Sequence, residues 1–284
     1  MPYQLSRRIF MLQMLFAIAA CGAEEKSNQK LELVTGVISY GEEKQDQEKF
    51  TNFARYLGEQ IKSIIQIEPT FNEKLAIDRI QNHAWSLVFA PPGLAAIAIA
   101  NSQYLPIFPL ETNDNIRSIL IVRQDSPIKQ LKDLQGKKIA LGQEGSATGY
   151  YFPLYNLYGL TLAEILFAPT PKTVVEWVQQ GLVAAGAISL EEFNLYKSKL
   201  DVRLRILFTD SQNVPSGSVL ISPQIDQSRQ QLIQKYMRDA PPTLIQEVRY
   251  LPNSTPPNYD YMTFVVKRVT SIATKLYSKP VRLF

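Results

Sequence analysis

Short apolar segments alternate with amphipathic segments along this chain, and this alternation restricts its possible folds more than any other feature. Residues 31–38 are typical of a strand, whereas the apolar residues of 50–64 recur at steps of three and four, as on one face of a helix. Further strands are predicted at 64–71, 85–90, 104–110, 118–123, 137–141, 164–168, 184–189, 204–209 and 218–222. Repeated strand and helix units predict an α/β fold with mixed, mainly parallel sheets.

The last third of the chain is predicted to be mostly helical. Helices are expected at 224–238 and 260–276, with one extended run at 247–251 between them. In open α/β sheets, ligands bind beyond the carboxyl ends of the strands, where loops lead into helices. We therefore look for a binding site in those loops.

The N-terminal segment has the layout of a secretory signal. Arg7 and Arg8 precede an apolar run over 9–20, which is too short to span a bilayer and ends at Cys21. Residues 1–20 are therefore predicted to be a signal peptide. Residues 6–10 also resemble a twin-arginine motif, so the export route stays open. Either route predicts an extracytoplasmic protein.

Cys21 is the only cysteine, and residues 18–21 resemble a bacterial lipobox, in which that cysteine receives a lipid. The resemblance implies an anchor on Cys21 in a bacterial membrane, followed by a polar tether over 22–30. The alternative is a chance cysteine inside a cleaved signal. In either case the folded body has no disulfide and no thiol nucleophile.

Charge and motifs exclude several classes of protein. Removal of residues 1–20 leaves 28 basic and 26 acidic residues, a net charge of +2, which argues against a nucleic-acid partner. The sequence has no Cys/His cluster and no nucleophile elbow, so we expect no metal, no cofactor and no catalytic residues. His83, the only histidine, is expected at the surface.

The strongest local feature is a strand, a turn of small residues and a helix start over 137–153. Helix starts carry unpaired amides and the positive end of the helix dipole, so they can hold an oxyanion. The candidate ligand-binding residues form the anion-binding loop, which consists of Ser146, Ala147, Thr148, Gly149 and Tyr150. The alternative is that Ser146 or Thr148 is an ordinary helix N-cap without a ligand.

The stretch 118–189 resembles the periplasmic phosphate-, phosphite- and phosphonate-binding proteins of ABC importers. The resemblance rests on residues 121–128, 134–138 and 146–150 with Pro153, and more weakly on 85–92 and 214–215. It implies the type II periplasmic-binding fold, with two α/β lobes that close at a hinge over a small oxyanion. Residues 31–115 and 214–284 would form lobe 1, and residues 116–213 lobe 2. The implied partner is an ABC permease, and we expect a monomer.

The resemblance also implies ligand contacts from the far side of the cleft. They are Ser39 and Tyr40 after the first strand and Pro92 at a helix start, with Lys172 as a further contact near the anion. Tyr40 has the alternative of packing at a strand end, and Lys172 that of a solvated surface residue.

Three positions depart from the family pattern, and one of them is Lys172, which stands where relatives place a histidine near the phosphoryl group. Gly93 stands where relatives have a tyrosine, and Ala184 stands where phosphonate binders have an aspartate that holds a ligand amine. An aminoalkylphosphonate is therefore a poor ligand candidate. We predict an oxyanion-binding lipoprotein for import, without enzymatic activity. A sensor of the same fold that acts on a membrane kinase, and an enzyme of similar architecture, are the alternatives.

Overall fold

The computed structural model describes residues 32–38, 43–70, 72–112, 116–199 and 203–284. Two five-stranded sheets organise them, in the orders β2-β1-β3-β11-β4 and β10-β5-β9-β6-β8. The first sheet contains β1 (Glu32–Ile38), β2 (Ile64–Thr70), β3 (Leu87–Ala90), β4 (Leu105–Pro109) and β11 (Ser218–Ile221). The second contains β5 (Ser118–Arg123), β6 (Lys138–Leu141), β8 (Glu164–Phe167), β9 (Ala185–Ser189) and β10 (Leu204–Thr209).

Helices connect these strands. They are α1 (Glu43–Ile61), α2 (Glu73–Gln81), α3 (Pro92–Ser102), α4 (Phe152–Asn156), α5 (Pro171–Gln179), α6 (Leu190–Tyr196), α7 (Gln227–Arg238), α8 (Pro242–Val248) and α9 (Asp260–Thr270). Local sequence sets several starts. The side chain of Asn72 caps α2, and that of Thr170 caps α5. Proline occupies the first turn of α3, α5 and α8, where its missing N–H costs no hydrogen bond.

Four of the five strands in each sheet run in the same direction. In the first sheet β1 pairs in parallel with β2 and β3, while β11 runs antiparallel between β3 and β4. In the second, β6 pairs in parallel with β8 and β9, and β5 runs antiparallel between β9 and β10. The predicted mixed, mainly parallel sheets are confirmed.

The chain passes between the sheets after β4 and again after β10, and the two passages bond to each other. The amide of Leu110 donates to the carbonyl of Gly217 at 2.8 Å, and that of Val214 to Ile116 at 2.8 Å. The guanidinium of Arg117 donates to the carbonyl of Asp210 at 3.0 Å. Two chain segments that cross between the sheets and are hydrogen-bonded to each other are the kind of connection that a hinge between two lobes requires.

The C-terminal segment contacts both sheet regions. Helix α9 packs against α3 and against α4. Beyond it, β12 (Val281–Arg282) pairs antiparallel with β7 (Thr161–Leu162). The range 214–284, predicted for lobe 1, therefore also contains contacts to the range predicted for lobe 2.

One apolar core cluster runs through both regions. It includes Trp85 and Leu94 beside the first sheet and Leu120 and Ile139 in the second, all at most 1% exposed. Residues 32–284 accordingly form one compact unit. In the described part of the chain, every helix is too short or too polar to cross a bilayer.

The extended run predicted at 247–251 is wrong. Helix α8 continues to Val248, and only Tyr250 then forms an isolated bridge, to Leu110. Two features of the chain explain the difference: Pro242 starts a helix, and Arg249 ends it in the left-handed region with φ of 57°. Val248 and Tyr250 are buried as core side chains and not as part of a strand, whereas Leu251 is exposed. The last helix is also shorter than predicted, because α9 ends at Thr270.

We expect Gly36→Ala to lower the free energy of unfolding by about 3 kcal/mol, because overpacking a rigid core forces neighbouring groups to move. A Cβ on Gly36 would lie 2.2 Å from Cδ2 of the fully buried Trp85 ring. Urea denaturation measures the loss. In a Trp85→Leu background the same substitution is expected to cost clearly less, and an equal cost in both backgrounds would place the clash elsewhere.

Candidate functional site

The anion-binding loop follows the carboxyl end of β6. Residues 143–146 form a turn in which the amide of Ser146 donates to the carbonyl of Gln143 at 3.1 Å. Gly145 has φ of 112°, a conformation that side chains rarely tolerate. A π-helical turn over Ala147–Tyr151 then continues directly into α4, so that residues 147–156 are helical throughout. The predicted order of strand, turn and helix start is confirmed.

Ser146 is the N-cap of this helical segment. Its Oγ accepts the amide of Gly149 at 3.0 Å, so the predicted N-cap is present. A hydroxyl that accepts one hydrogen bond still has a proton to donate. The Oγ of Ser118 on β5 donates to the carbonyl of Thr148 at 2.7 Å, and the amide of Gly142 donates to Gly149 at 2.9 Å. These bonds fix the loop to the second sheet.

Two amides of the loop are left without an acceptor. Within the described residues, no hydrogen bond pairs the N–H of Ala147 or of Thr148, although Ala147 is only 5% exposed. The N–H groups of Gly93 and Leu94 in the first turn of α3 also have no acceptor there, and Pro91 provides no side-chain cap. Both helix starts therefore offer free donors and the positive end of a helix dipole.

The two helix starts face each other. Gly93 lies directly against the loop, since a Cβ added to it would be 1.9 Å from the carbonyl oxygen of Gly145 and 2.8 Å from the amide of Ala147. Leu94, the next residue of α3, is fully buried. Residues from the carboxyl ends of β3 and β6 thus meet at one point, as the sheet topology predicts.

Tyr150 is mostly a packing residue. Its ring is 3% exposed and lies 4.9 Å from the Tyr151 ring and 5.9 Å from the Phe167 ring, measured between centroids. Burial, followed by the charge of Glu144, raises the pKa of Tyr150 well above its ordinary value. The phenol therefore stays protonated and can donate a hydrogen bond at any physiological pH.

Glu144 is a site residue that the sequence did not single out. It lies in the turn before Ser146, and its charge acts on both Tyr150 and Tyr151. Glu144 is an exposed residue, but the protein beside its carboxyl partly displaces water and raises the pKa of Glu144, while Lys74 on α2 opposes that shift. A carboxylate beside an oxyanion loop works against the binding of an anion. An acidic residue within a small-residue turn is the signal that sequence analysis had available.

The other predicted site residues have different surroundings. Pro92 is half-buried at the start of α3, beside the facing helix ends. Ser39 and Tyr40 lie outside the described residues, as do Cys21 and the signal peptide. Lys172 is exposed on α5, with its Nζ 3.7 Å from Oε1 of Glu176. The structure brings Pro92 and the loop together and shows no contact of Lys172 with them.

His83 is not the surface residue that was expected. It is half-buried, and its ring stacks on Tyr104 with the centroids 5.6 Å apart. Across the described ranges, no three His, Cys, Asp or Glu side chains are grouped so that they could hold a metal ion.

A sequence model of one protein family matches residues 35–251, which is most of the chain. The family is described as "ABC transporter, phosphonate, periplasmic substrate-binding protein". The chain belongs to this family. Its members are extracytoplasmic substrate-binding components of transporters, not enzymes. No curated protein matches the chain by sequence.

Solved structures share the fold of this family member. A Xanthomonas citri protein bound to chloride has a TM-score of 0.69 at 18% identity, covering 84% of this chain and 99% of its own. PhnD1 from Prochlorococcus marinus, in complex with methylphosphonate, has a TM-score of 0.61 at 15% identity, covering 85% and 99%. A phosphonate-transporter binding protein from Pseudomonas aeruginosa has a TM-score of 0.59 at 12% identity, covering 87% and 88%. The chain has the type II periplasmic-binding fold.

We expect the Glu144 carboxylate to destabilise the folded protein increasingly as the pH rises. Its folded-state pKa is raised, so the penalty is absent below the unfolded-state pKa and complete above the folded-state pKa. Urea denaturation of Glu144→Gln should therefore show little gain in stability at pH 4 and a clear gain at pH 7. Glu247→Gln, at an exposed carboxyl on α8, is the control for the substitution itself. An equal gain of Glu144→Gln at both pH values would contradict this expectation.

Proposed function

We propose that this chain is a lipid-anchored, extracytoplasmic binding protein that captures a small oxyanion of the phosphate, phosphite or phosphonate type for an ABC importer. The observation that carries this proposal is the pair of amides at Ala147 and Thr148, neither of which has an acceptor among the described residues. They begin a helical segment of ten residues, 147–156, whose dipole favours a negative charge at this end. An oxyanion would give both N–H groups an acceptor.

The facing start of α3 supports the same ligand class. Two positive helix ends that approach each other repel, and an anion bound between them removes the repulsion. The amides of Gly93 and Leu94 would donate from one side and those of the loop from the other, with the hydroxyls of Ser146 and Thr148 as added donors. The donors are uncharged, so recognition depends on geometry and on leaving no donor unpaired.

The remaining parts of the proposed site rest on the family resemblance. We propose Ser39 and Tyr40 as donors from lobe 1, and the lobes as residues 31–115 with 214–284 and residues 116–213. The bonded passages near Leu110 and Val214 support a hinge there. Lys172 is left outside the proposed contacts, because its charge is paired with Glu176 on an exposed helix face.

Calorimetric titration with inorganic phosphate, phosphite, sulfate and methylphosphonate tests the ligand class. Where an anion binds, we expect Thr148→Val and Gly149→Ala each to weaken binding about tenfold or more, the effect of losing one charge-assisted hydrogen bond. The Gly149 substitution acts indirectly, since its Cβ would lie 3.0 Å from the Ser146 Oγ and 3.3 Å from the Gly142 Cα.

Thr274→Val, at an exposed threonine of the C-terminal segment, is the matched control and should bind like the parent chain. Unchanged binding in both loop variants would refute the proposed site. If none of the four anions binds the parent chain, the proposed ligand class is wrong.

The proposed anchor is tested by labelling cells that express the full chain with radioactive palmitate. We expect label on the parent protein and none on Cys21→Ser, because the thiol of Cys21 is the acceptor of the lipid. Ser27→Ala, in the predicted tether, should be labelled like the parent. Label that persists in the Cys21 variant would contradict the anchor.

A further inference from the structure

We propose that Gly93 is a positioning residue that sets how closely the two lobes approach at the anion-binding loop. The inference rests on the proposed function for its consequence, but its physical basis is a backbone contact. A Cβ on Gly93 would lie 1.9 Å from the Gly145 carbonyl oxygen, whereas real Cβ atoms essentially never come closer than 3.0 Å to such an atom. Only glycine permits this approach without a displacement.

The opposite side of the contact is equally close. A Cβ on Gly145 would lie 2.9 Å from the Cβ of Glu73 and 3.2 Å from the Cδ2 of Leu94. The turn therefore fits against the first turns of both α2 and α3. The atoms that a Cβ on Gly93 would meet are backbone atoms of Gly145 and Ala147, so that contact cannot relax through the rotation of a flexible side chain.

Water is largely excluded around this contact. Leu94 is fully buried, Ala147 is 5% exposed, and both belong to the core cluster that runs through the two sheet regions. A site built from amide dipoles gains strength when water is excluded, because the local dielectric constant is lower. Gly93 allows α3 and the loop to approach closely, and the amides of both can therefore donate to one ligand.

A second effect acts in the same direction. The Cβ of an alanine at position 93 would lie 2.8 Å from the Ala147 amide nitrogen. It would thus both separate the lobes and cover one of the unpaired donors. Closure and ligand binding should fail together in Gly93→Ala.

Hydrogen exchange of the Ala147 and Thr148 amides, measured without added anion, reports whether the two lobes are closed at the loop, independently of any ligand. These amides have no intramolecular acceptor in the described part of the chain, so slow exchange in the parent protein must come from the closed contact. We expect slow exchange in the parent and exchange about tenfold faster or more in Gly93→Ala. Any anion of the titration panel that binds the parent should bind Gly93→Ala at least about tenfold more weakly.

The control is Gly58→Ala, at the end of α1. Its Cβ would also approach a carbonyl oxygen, that of Ser63 at 2.8 Å, but within the first lobe and away from the loop. It should leave exchange at residues 147–148 unchanged. Helix propensity alone cannot explain faster exchange at residues 147–148 in Gly93→Ala, since alanine stabilises a helix relative to glycine.

The outcomes separate this inference from the proposed function. Exchange at peptide rates in the parent, or exchange that Gly93→Ala leaves unchanged or slows, overturns the closure contact even if an anion binds. Protected amides in the parent and faster exchange in Gly93→Ala, with no binding of phosphate, phosphite, sulfate or methylphosphonate, support the contact and refute the ligand class. If Gly93→Ala does not fold, the exchange rates of the parent protein still decide.

Discussion

A buried N–H group without an acceptor costs about 1–3 kcal/mol, and this cost is the constraint around which the site is built. Among the residues that the structure describes, the amides of Ala147 and Thr148 at the start of one helical segment have no acceptor, and neither do those of Gly93 and Leu94 at the start of another. Ser146 caps the amide of Gly149 and leaves the two amides before it free. The fold therefore tolerates a local cost at a point where two helix starts face each other, and helix starts are common binding sites for oxyanions.

The topology explains why these two helix starts meet. Strands β3 and β6 belong to different sheets, and each ends where a loop turns into a helix. The bonded passages near Leu110 and Val214 hold the sheets so that those ends face one another. The positions of the amides thus follow from the direction of the strands and from the way they are connected. The backbone provides the amide donors, and the side chains of the loop only modify the site around them.

Much of the fold could be predicted from the sequence, because hydrophobic periodicity reports directly which face of a segment is buried. Every predicted strand except the run 247–251 is present, and its ends lie within two residues of the predicted ends. The prediction of a strand at 247–251 failed because Val248 and Tyr250 are core residues. Tyr250 packs there against Phe53 and Phe108. A short apolar run cannot by itself distinguish a strand from buried side chains at a helix end.

The site was predictable only in part, and for a different reason. The small residues of 145–149 signalled a close backbone approach, so the loop could be found from the sequence. The residue that the loop approaches could not be found from the sequence. Gly93 and Gly145 are 52 positions apart, and neither local sequence indicates a contact with the other. From the sequence, Gly93 is only a glycine where relatives have a tyrosine, whereas the structure gives it a steric meaning, since any side chain there would collide with Gly145.

The charge of Glu144 opposes the proposed binding of an anion at this site. Its charge acts on the buried phenols of Tyr150 and Tyr151, and Lys74 from α2 partly offsets it. A carboxylate next to the loop raises the cost of bringing in negative charge, and that cost grows with the charge of the ligand. The amides carry no net charge, so they can offset this electrostatic cost only through close hydrogen bonds to the ligand oxygens. Close fit in turn requires the approach that glycine at position 93 permits, and the steric and electrostatic features of the site therefore depend on each other.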